Sequence, residues 1–357
     1  WNDLVAKTFI MKTYNQLYSK LCSYENLYLA YEKARKGKTF MPYVKEFEKN
    51  LKFNIQILQF ELVNKTYSPK KLKLFVIHDP KTRKICKSSF RDRIVHHAIV
   101  NILNPIYEKI FIYDSYASRK YKGQHKALER FHYFLRKVSR NGKKLEGIKY
   151  NNYICGYCLK CDIKKYFDNV DHEILIKVLE RKIKDENLIN LIRLILENNL
   201  NVVKGKSMPL GNYTSQFFAN VYLNELDHYI KHKLKIRYYV RYVDDFIILY
   251  YDKNTLEIYK EKMNNFLRNN LNLELHKDKS NIIQLHKGIK FLGFRNFYYC
   301  KLLKKSNINQ IKRNLIDWSK LFKENIINEE KLKAKINGWK EHPFHGNSFN
   351  LIKKLEI

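Results

Sequence analysis

Apolar positions in the first third of the chain recur mostly at helical spacing. Between residues 44 and 62 they fall every three or four positions, which predicts one amphipathic helix. An earlier helix over roughly 25–36 is expected to stop at a glycine, after basic residues in its last turn. Residues 72–87, LKLFVIHDPKTRKICK, predict two strands joined by a turn at the Asp-Pro pair, and a helix over 91–107 follows.

The rest of the chain alternates short apolar runs with helical patterns. CLKCDIKKYF is apolar enough for a buried strand, whereas residues 136–152 are basic, polar and rich in turn residues, and predict a loop. Further elements are expected as helices at 172–198, 215–233 and 256–271, strands at 288–299, and a helical tail at 308–355 broken near Pro343. This interleaving predicts an α+β fold with a separate helical unit at its end.

The charge of the chain predicts a class of ligand that the pattern of elements does not. Lys and Arg number 69 against 35 Asp and Glu, a formal net charge of +34. That excess is far larger than solubility requires, and aromatic residues make up 14% of the chain. Cations together with flat rings that stack on bases predict a nucleic-acid partner, although most of the 27 tyrosines are expected in the core.

Composition also bears on location. No apolar run reaches the roughly 18 residues of a membrane span, and the opening WNDLVAKTFIMK lacks a signal-peptide pattern. Six irregularly placed cysteines suit a reducing interior, so a cytoplasmic location is predicted. The run CGYCLKC invites a zinc site at Cys155, Cys158 and Cys161, but structural zinc usually takes two separated pairs of ligands. Because the chain opens with Trp1, the natural protein is expected to begin earlier.

Two adjacent aspartates interrupt the apolar run YYVRYVDDFIILYY. In a straight strand Asp244 and Asp245 would point to opposite faces, and one would be buried without a partner. A tight turn between two strands removes this difficulty, because Asp is favoured in turns. Two carboxylates about 4 Å apart repel each other by roughly 4 kcal/mol at an effective dielectric near 20, so a hard divalent cation is expected between them.

A third carboxylate is expected to complete a two-metal site. Asp162 ends an apolar strand, as the Asp pair does, and is the preferred candidate. Two ions held in this way would activate a 3′ hydroxyl and hold the triphosphate with its leaving pyrophosphate. Asp168 and Asp171 compete for the role, but the following loop is expected to hold them, with Asp171 as a helix cap.

The ordered set of motifs resembles that of reverse transcriptases. Asp162 with an aromatic residue five positions later is similar to motif A, and YVDD at 242–245 is similar to motif C. MPLGNYTSQ, HKDKSN and KFLGF resemble motifs B, D and E, while DPKTRKI, FRDRIVHHA and DSYASRKYKGQHKAL resemble elements of the fingers. The likeness extends over about residues 20–300.

Motif B narrows the resemblance to a subfamily. LGNYTSQ has the xGxxxSQ form of diversity-generating retroelement enzymes, whereas group II intron enzymes usually carry QGxxxSP. The segments ENLYLAYEKARKGK and FANVYLNELDHYIKH strengthen this likeness. The alternatives are a group II intron or defence-associated reverse transcriptase, and a catalytically inactive RNA-binding relative.

The resemblance implies an RNA-directed DNA polymerase that copies a retroelement template RNA into cDNA, with errors at template adenines that diversify a target gene. It also implies a right-handed polymerase fold, with an N-terminal helical extension at 1–70, fingers at 71–155, a palm of antiparallel sheet and helices at 156–299, and a small helical thumb at 300–357. The implied ligands are two Mg²⁺ ions, with Mn²⁺ as a substitute, template RNA, the cDNA/RNA hybrid and deoxynucleoside triphosphates. A small basic accessory protein that oligomerises is the implied partner.

Catalytic and nucleotide-binding roles carry over from the family residue by residue. The implied catalytic residues are Asp162, Asp244, Asp245 and Lys279, the last as a general acid toward pyrophosphate. The implied metal-binding set is Asp162, Ile163, Asp244 and Asp245. The implied nucleotide-binding residues are Lys81, Arg83, Phe167, Leu210, Gly211 and Gln216. In the nucleotide-binding set, the Phe167 ring would exclude a ribose 2′ hydroxyl. Leu210 stands where many accurate reverse transcriptases have a glutamine that can hydrogen-bond near the nucleotide.

Template and primer contacts are implied in two further segments. Arg119 and Lys122, with Lys120, match the fingers loop that grips the template backbone. Phe291, Leu292 and Gly293 match the primer grip. Phosphate contacts of this kind predict binding that weakens steeply with salt.

Overall fold

The computed structural model describes residues 12–78, 82–144, 153–198 and 203–354. These residues form two compact units, each built from three stretches of chain. Unit 1 contains the described residues of 1–112, 163–229 and 265–274, and unit 2 contains those of 113–162, 230–264 and 275–357. The chain enters each unit three times, so neither unit is a contiguous segment of sequence.

The described residues form fourteen α-helices. In chain order they are α1 (Leu17–Leu21), α2 (Tyr24–Arg35), α3 (Pro42–Lys49), α4 (Leu51–Val63), α5 (Phe90–Tyr107), α6 (Gln124–Val138), α7 (Tyr166–Asn169), α8 (His172–Glu180), α9 (Glu186–Glu197), α10 (Tyr213–His228), α11 (Lys253–Leu271), α12 (Lys305–Lys323), α13 (Glu329–Phe344) and α14 (Phe349–Lys354). A π-helical turn, Tyr229–Lys233, continues α10.

Nine strands pair antiparallel in three sheets. They are β1 (Lys73–Ile77), β2 (Arg83–Lys87), β3 (Tyr157–Asp162), β4 (Tyr239–Tyr242), β5 (Asp245–Tyr250), β6 (Asn281–Gln284), β7 (Ile289–Phe291), β8 (Phe294–Asn296) and β9 (Lys301–Leu303). Strands β1 and β2 form a hairpin in unit 1. In unit 2 the order of the larger sheet is β4-β5-β3-β6, and β7-β8-β9 form a three-stranded meander. Together with the helices, this confirms the predicted α+β class.

Helix starts in unit 1 follow the side-chain caps that the sequence supplies. Ser23 accepts a hydrogen bond from the backbone N–H of Asn26, and Ser89 accepts one from that of Asp92. Asp92 is buried, and it also accepts hydrogen bonds from the Tyr67 and Ser89 hydroxyls. Such caps satisfy donors that a helix start leaves unpaired, and they fix where α2 and α5 begin.

Two helices predicted as continuous are each divided. The pattern over 44–62 forms α3 and α4, because the backbone at Asn50 leaves the helical region with φ −127° and ψ 48°. The pattern over 172–198 forms α8 and α9, because Asp185 caps α9 through the N–H of Leu188. Asp185 also accepts the N–H of Tyr18, a partner 167 residues away that apolar spacing cannot reveal.

One hydrophobic core in unit 2 lies where α6 packs on the larger sheet and the meander. It contains apolar side chains from α6, from β3 to β5 and from β7 to β9, among them Phe131, Phe134, Ile247, Phe291 and Phe294. The Phe131 and Phe291 rings meet edge to face with centroids 5.4 Å apart. Close packing of this kind holds both sheets rigidly, which matters because the candidate site lies at one edge of the larger sheet.

No helix in the described part of the chain combines the length and the apolar character needed to cross a membrane.

Candidate active site

Three carboxylates lie at one edge of the larger sheet in unit 2. Strands β4 and β5 are joined by the two-residue turn Val243-Asp244, so Tyr242 pairs with Asp245. Asp162, the last residue of β3, is the direct register partner of Asp245. Asp244 therefore lies in the turn as predicted, whereas Asp245 is the first residue of β5 rather than part of the turn.

The turn that carries Asp244 has an unusual backbone. Val243 has φ 57°, a left-handed conformation that β-branched residues rarely adopt. Such strain persists only where the surroundings hold it in place. Here the fully buried Arg241 donates hydrogen bonds from its guanidinium to the carbonyl of Val243 at 3.1 Å and to the hydroxyl of Ser115 at 2.9 Å. Sequence reasoning missed Arg241, although an arginine inside an apolar strand was a signal.

Asp245 is held between a cation and two like charges. Its Oδ2 lies 3.0 Å from Nζ of Lys160, while its buried Oδ1 has no hydrogen-bond partner among the described residues. Burial raises the pKa of the Asp245 carboxyl to about 6, Lys160 opposes that rise, and Asp244 and Asp162 add to it. The unpaired oxygen and the mutual repulsion mark a place that would accept an additional cation.

Lys160 also links the candidate site to the meander. The same Nζ donates to the backbone carbonyl of Lys290 in β7 at 3.0 Å and lies 5.9 Å from the centroid of the Phe291 ring. The sequence gives no signal for Lys160, because nothing local distinguishes it from the other lysines of a basic chain.

Asp162 contacts the segment that resembles motif D. Its Oδ1 lies 3.5 Å from Nζ of Lys279, and its backbone carbonyl accepts the N–H of His276 at 2.8 Å. The backbone N–H of Asp162 lies 3.4 Å from the Ser280 hydroxyl. Lys279 is therefore an ion-pair partner of one of the three carboxylates.

The donor set suits a hard divalent cation. Mg²⁺ prefers carboxylate oxygens, which Asp162, Asp244 and Asp245 supply. One of these oxygens, Oδ1 of Asp245, is buried without a hydrogen-bond partner among the described residues. Among the described residues, no three His, Cys, Asp or Glu side chains form a group that could hold a metal ion, and lysines pair with two of the three carboxylates. Incoming phosphates would have to supply further ligands, which is usual for Mg²⁺. Ile163, the remaining member of the implied set, is buried directly after Asp162.

The implied nucleotide-binding residues that the structure describes lie in unit 1. The carbonyl of Phe167, in α7, accepts the N–H of Met208 at 2.7 Å, and the carbonyl of Leu210 accepts the N–H of Cys86 at 2.7 Å. These bonds hold motif B beside α7 and β2. Gln216 is exposed on α10, and Arg83 is exposed at the start of β2. Lys81 lies outside the described residues.

Gly211 is required by both its backbone and its surroundings. It has φ +115°, and a Cβ there would lie 2.7 Å from the carbonyl oxygen of Cys86 and 2.9 Å from Cγ2 of Ile85. Contact with a backbone oxygen cannot be relieved by a rotamer change. Motif B and β2 therefore lie too close together at this point for any residue other than glycine at position 211.

We expect Gly211→Ala to destabilise unit 1 by about 2–4 kcal/mol, from backbone strain together with the steric clash. Urea unfolding measures this change as a lower midpoint. Gly205→Ala is the matched control, because Gly205 has φ +77° with nothing within 4 Å and should lose only about 1 kcal/mol from its backbone conformation. Equal losses in the two variants would contradict the close-approach argument.

Asp168 and Asp171, the alternative candidates for the third carboxylate, both lie in other elements of the fold. Asp171 caps α8 by accepting the N–H of Ile174 at 3.2 Å, which confirms the predicted cap. Asp168 lies exposed on α7. Both belong to unit 1, and the three carboxylates of the sheet edge belong to unit 2.

The implied template and primer residues lie in unit 2. Arg119 donates to the carbonyl of Ser115 at 2.7 Å, and Lys122 donates to the carbonyl of Tyr113 at 2.9 Å. Phe291 is buried at the end of β7, whereas Leu292 and Gly293 form the turn to β8 with φ 45° and 85°. The Leu292 carbonyl accepts a hydrogen bond from the Gln124 side chain at 2.9 Å, so α6 fixes this turn.

Residues 69–296, more than half of the chain, match the family model described as reverse transcriptase (RNA-dependent DNA polymerase). The chain therefore belongs to the reverse transcriptase family and carries an RNA-directed DNA polymerase domain. Its relatives include proteins encoded by group II introns.

Several known proteins are similar to this chain. Protein YkfC of Escherichia coli is 26% identical over 289 residues, which cover 69% of this chain and 71% of YkfC. The group II intron-encoded protein LtrA of Lactococcus lactis is 26% identical over 299 residues, covering 64% of this chain and 47% of LtrA. Among solved structures, apo telomerase from Candida tropicalis matches 67% of this chain and 49% of its own with TM-score 0.49 and 14% identity. The chain thus spans about half the length of LtrA.

Proposed function

We propose that this chain copies RNA into DNA with the carboxylates of Asp162, Asp244 and Asp245. The observation that carries the proposal is the position of these residues at one sheet edge, with a buried Asp245 oxygen that has no partner among the described residues. The template would be RNA, the primer terminus would be a 3′ hydroxyl, and the substrates would be deoxynucleoside triphosphates.

Two Mg²⁺ ions, or Mn²⁺ in their place, would be held by Asp162, Asp244, Asp245 and the carbonyl of Ile163. Bound there, they would lower the pKa of the attacking 3′ hydroxyl and neutralise the triphosphate. Lys279, whose Nζ lies 3.5 Å from Oδ1 of Asp162, would give a proton to the leaving pyrophosphate. Lys81 and Arg83 would bind the triphosphate, and Arg suits phosphate because it can bond two oxygens at once.

Phe167 is proposed to select the sugar of the incoming nucleotide. It is half-buried beside the Tyr166 ring, with centroids 5.3 Å apart, and its carbonyl is bonded to motif B. An aromatic ring fixed in this way would collide with a 2′ hydroxyl. Leu210, Gly211 and Gln216 would form the rest of the nucleotide pocket.

We expect Phe167→Ala to raise the incorporation of ribonucleotides relative to deoxynucleotides by about 100-fold, since the ring that excludes the 2′ hydroxyl is gone. Single-nucleotide extension with matched ribo and deoxy substrates measures the ratio of kcat/KM values. Phe167→Tyr keeps the ring and should preserve discrimination. Unchanged discrimination in the alanine variant would remove Phe167 from this role.

Within the reverse transcriptases, the chain is proposed to be of the diversity-generating retroelement type, and the sequence LGNYTSQ at motif B supports this. Such an enzyme would copy a template RNA of its own element, misincorporate at adenines and work in the cytoplasm with a small basic accessory protein. Leu210 has no group to hydrogen-bond near the base pair, which fits relaxed checking of pairing. The domain boundaries would be 1–70 for the helical extension, 71–155 for the fingers, 156–299 for the palm and 300–357 for the thumb.

The test is extension of a DNA primer on a generic RNA template with Mg²⁺ and four deoxynucleotides, with every product sequenced. Errors concentrated opposite template adenines are expected for the proposed type. Extension with evenly spread errors would support the polymerase and overturn the mutagenic assignment. No extension, even after the accessory protein and the element's own RNA are added, would overturn the polymerase proposal.

A group II intron enzyme is the second candidate, favoured by the similarity to LtrA. The DNA that flanks the gene separates the two. An intron RNA would support this candidate, and a pair of template and variable repeats would support the first.

A further inference from the structure

The loop before α6 and the first turns of that helix enclose a cavity of about 310 Å³ in unit 2. Four tyrosines line it: Tyr113, Tyr116, Tyr121 and Tyr133. Tyr116 is buried, but Tyr113, Tyr121 and Tyr133 keep 67%, 82% and 47% of their surfaces exposed. Single exposed rings are ordinary, whereas three around one cavity form a surface suited to an aromatic ligand.

Cations are placed among these rings. Lys122 Nζ lies 3.4 Å from the centroid of the Tyr113 ring, and the Arg130 guanidinium lies 5.3 Å from the same ring and 5.6 Å from that of Tyr133. Asp114 fixes Arg130 with a 2.8 Å hydrogen bond to Nε. Lys126 and Glu129 also line the cavity and form an ion pair at 3.2 Å, so the cations of the lining still outnumber its one carboxylate. The cavity therefore combines flat apolar faces with net positive charge, the combination that binds both the base and the phosphate of a nucleotide.

The backbone presents one of these rings under strain. Tyr121 has φ 60°, in the left-handed region, and its neighbour across one residue, Gly123, has φ 107°. A tyrosine that is 82% exposed gains little packing in exchange for that conformation. A strained backbone without compensating burial indicates that the exposed Tyr121 ring has a binding role.

The same loop is bonded to the hairpin of the candidate active site. Tyr116 N–H donates to the carbonyl of Arg241, and Arg241 N–H donates to the carbonyl of Asp114, both at 3.0 Å. Arg241 is in β4, three residues before Asp244. A nucleic-acid strand bound in the cavity would thus lie on a loop that is hydrogen-bonded to the β4–β5 hairpin of the candidate active site.

We propose that this tyrosine pocket stacks one unpaired nucleotide of a single-stranded nucleic acid on its way to or from the active site. The base would lie against Tyr121 and Tyr133, and the phosphate would lie near Lys122 and Arg130. The proposal rests on the polymerase function and adds a stacking site to the backbone contacts proposed for Arg119 and Lys122. Because every base has a stacking face, the pocket would accept any sequence.

The test measures binding of a labelled ten-nucleotide RNA and of the same DNA sequence by fluorescence anisotropy, without primer or nucleotides. Tyr121→Ala should weaken Kd about tenfold, the change expected when one base loses its stack. Tyr121→Phe keeps the ring and should stay within twofold of the wild type. Tyr299→Ala is the matched control, since Tyr299 is 64% exposed on another turn of unit 2, and it should leave Kd unchanged.

Each outcome decides for or against the pocket. A loss for RNA alone would identify the template as the occupant, a loss for DNA alone would identify the product strand, and a loss for both would support a shared stacking site. Equal affinities of wild type and Tyr121→Ala would overturn the proposal, as would displacement of the oligonucleotide by an acidic peptide of equal charge and length. Primer extension by the wild type, run in parallel, shows separately whether the polymerase proposal holds.

Discussion

Asp244→Asn is expected to lower the rate of nucleotide incorporation by about 1,000-fold or more while leaving affinity for RNA unchanged. The substitution keeps the shape of the side chain and removes one charge from the cluster that would hold the metal ions. Stabilisation of transition-state charge by a metal amounts to several kcal/mol, and about 4 kcal/mol corresponds to the expected loss. Single-turnover primer extension measures the rate, and anisotropy with labelled RNA measures binding.

Stability should move in the opposite direction to activity. Asp244 raises the pKa of the Asp245 carboxyl, so the two charges repel each other in the folded chain. Removing one of them should leave the Tm unchanged or higher in the absence of divalent ions. A variant that loses activity by unfolding would show a lower Tm, so this measurement separates the two explanations.

Asp168→Asn supplies the matched control, because Asp168 is an exposed carboxylate in α7 of unit 1. We expect it to retain activity within twofold. If Asp244→Asn retained more than a tenth of the wild-type rate, the carboxylate cluster would not be the catalytic centre. A wild type that bound RNA but incorporated no nucleotide would instead support the inactive RNA-binding alternative.

The sequence predicted those features that depend on neighbouring residues. The strand at 157–162, the hairpin around Asp244 and the cap at Asp171 each follow from apolar runs, turn residues or spacing within a few positions. These signals are local because a strand, a turn or a cap is specified by a short stretch of chain. The candidate carboxylates could be found for the same reason, since Asp162 ends an apolar strand, Asp245 begins one and Asp244 lies in the turn just before it.

Features that depend on distant pairing could not be predicted in this way. Lys160 is 85 residues from Asp245 and 130 from Lys290, so its two contacts exist only once β3, β5 and β7 are assembled. Arg241 reaches Ser115 across 126 positions. Apolar spacing also ran through Asn50, because the backbone there leaves the helix without any Gly or Pro to mark the break.

The pKa of Asp245 gives stability a defined pH dependence. A carboxyl whose pKa is raised in the folded chain, here to about 6 from 3.8, binds its proton more tightly when folded. Its contribution to stability is therefore fully present below about pH 4 and is lost as the pH rises through about 6. Binding of a divalent cation to the ionised form would offset this loss, so Mg²⁺ should raise the Tm more at pH 7.5 than at pH 5.

Lys160→Met is expected to lower the rate of incorporation at pH 6.5 by about tenfold or more, with a smaller loss at pH 8. Lys160 holds the pKa of Asp245 down through the 3.0 Å contact, so its removal should raise that pKa further and leave less of the carboxylate ionised near neutrality. A lost hydrogen bond between two charged groups typically corresponds to about 1.5–3 kcal/mol, which sets the size of the effect.

The measurement is the pH profile of single-turnover extension, in which the acidic limb should move to higher pH. Lys160→Arg keeps the charge and should restore the position of that limb even if it lowers the rate, because a guanidinium fits less well between the Asp245 carboxylate and the Lys290 carbonyl. A Lys160→Met profile that falls by the same factor at every pH would show that the ammonium group only supports the β7 contact. A shifted limb restored by arginine would show that its charge keeps Asp245 ionised.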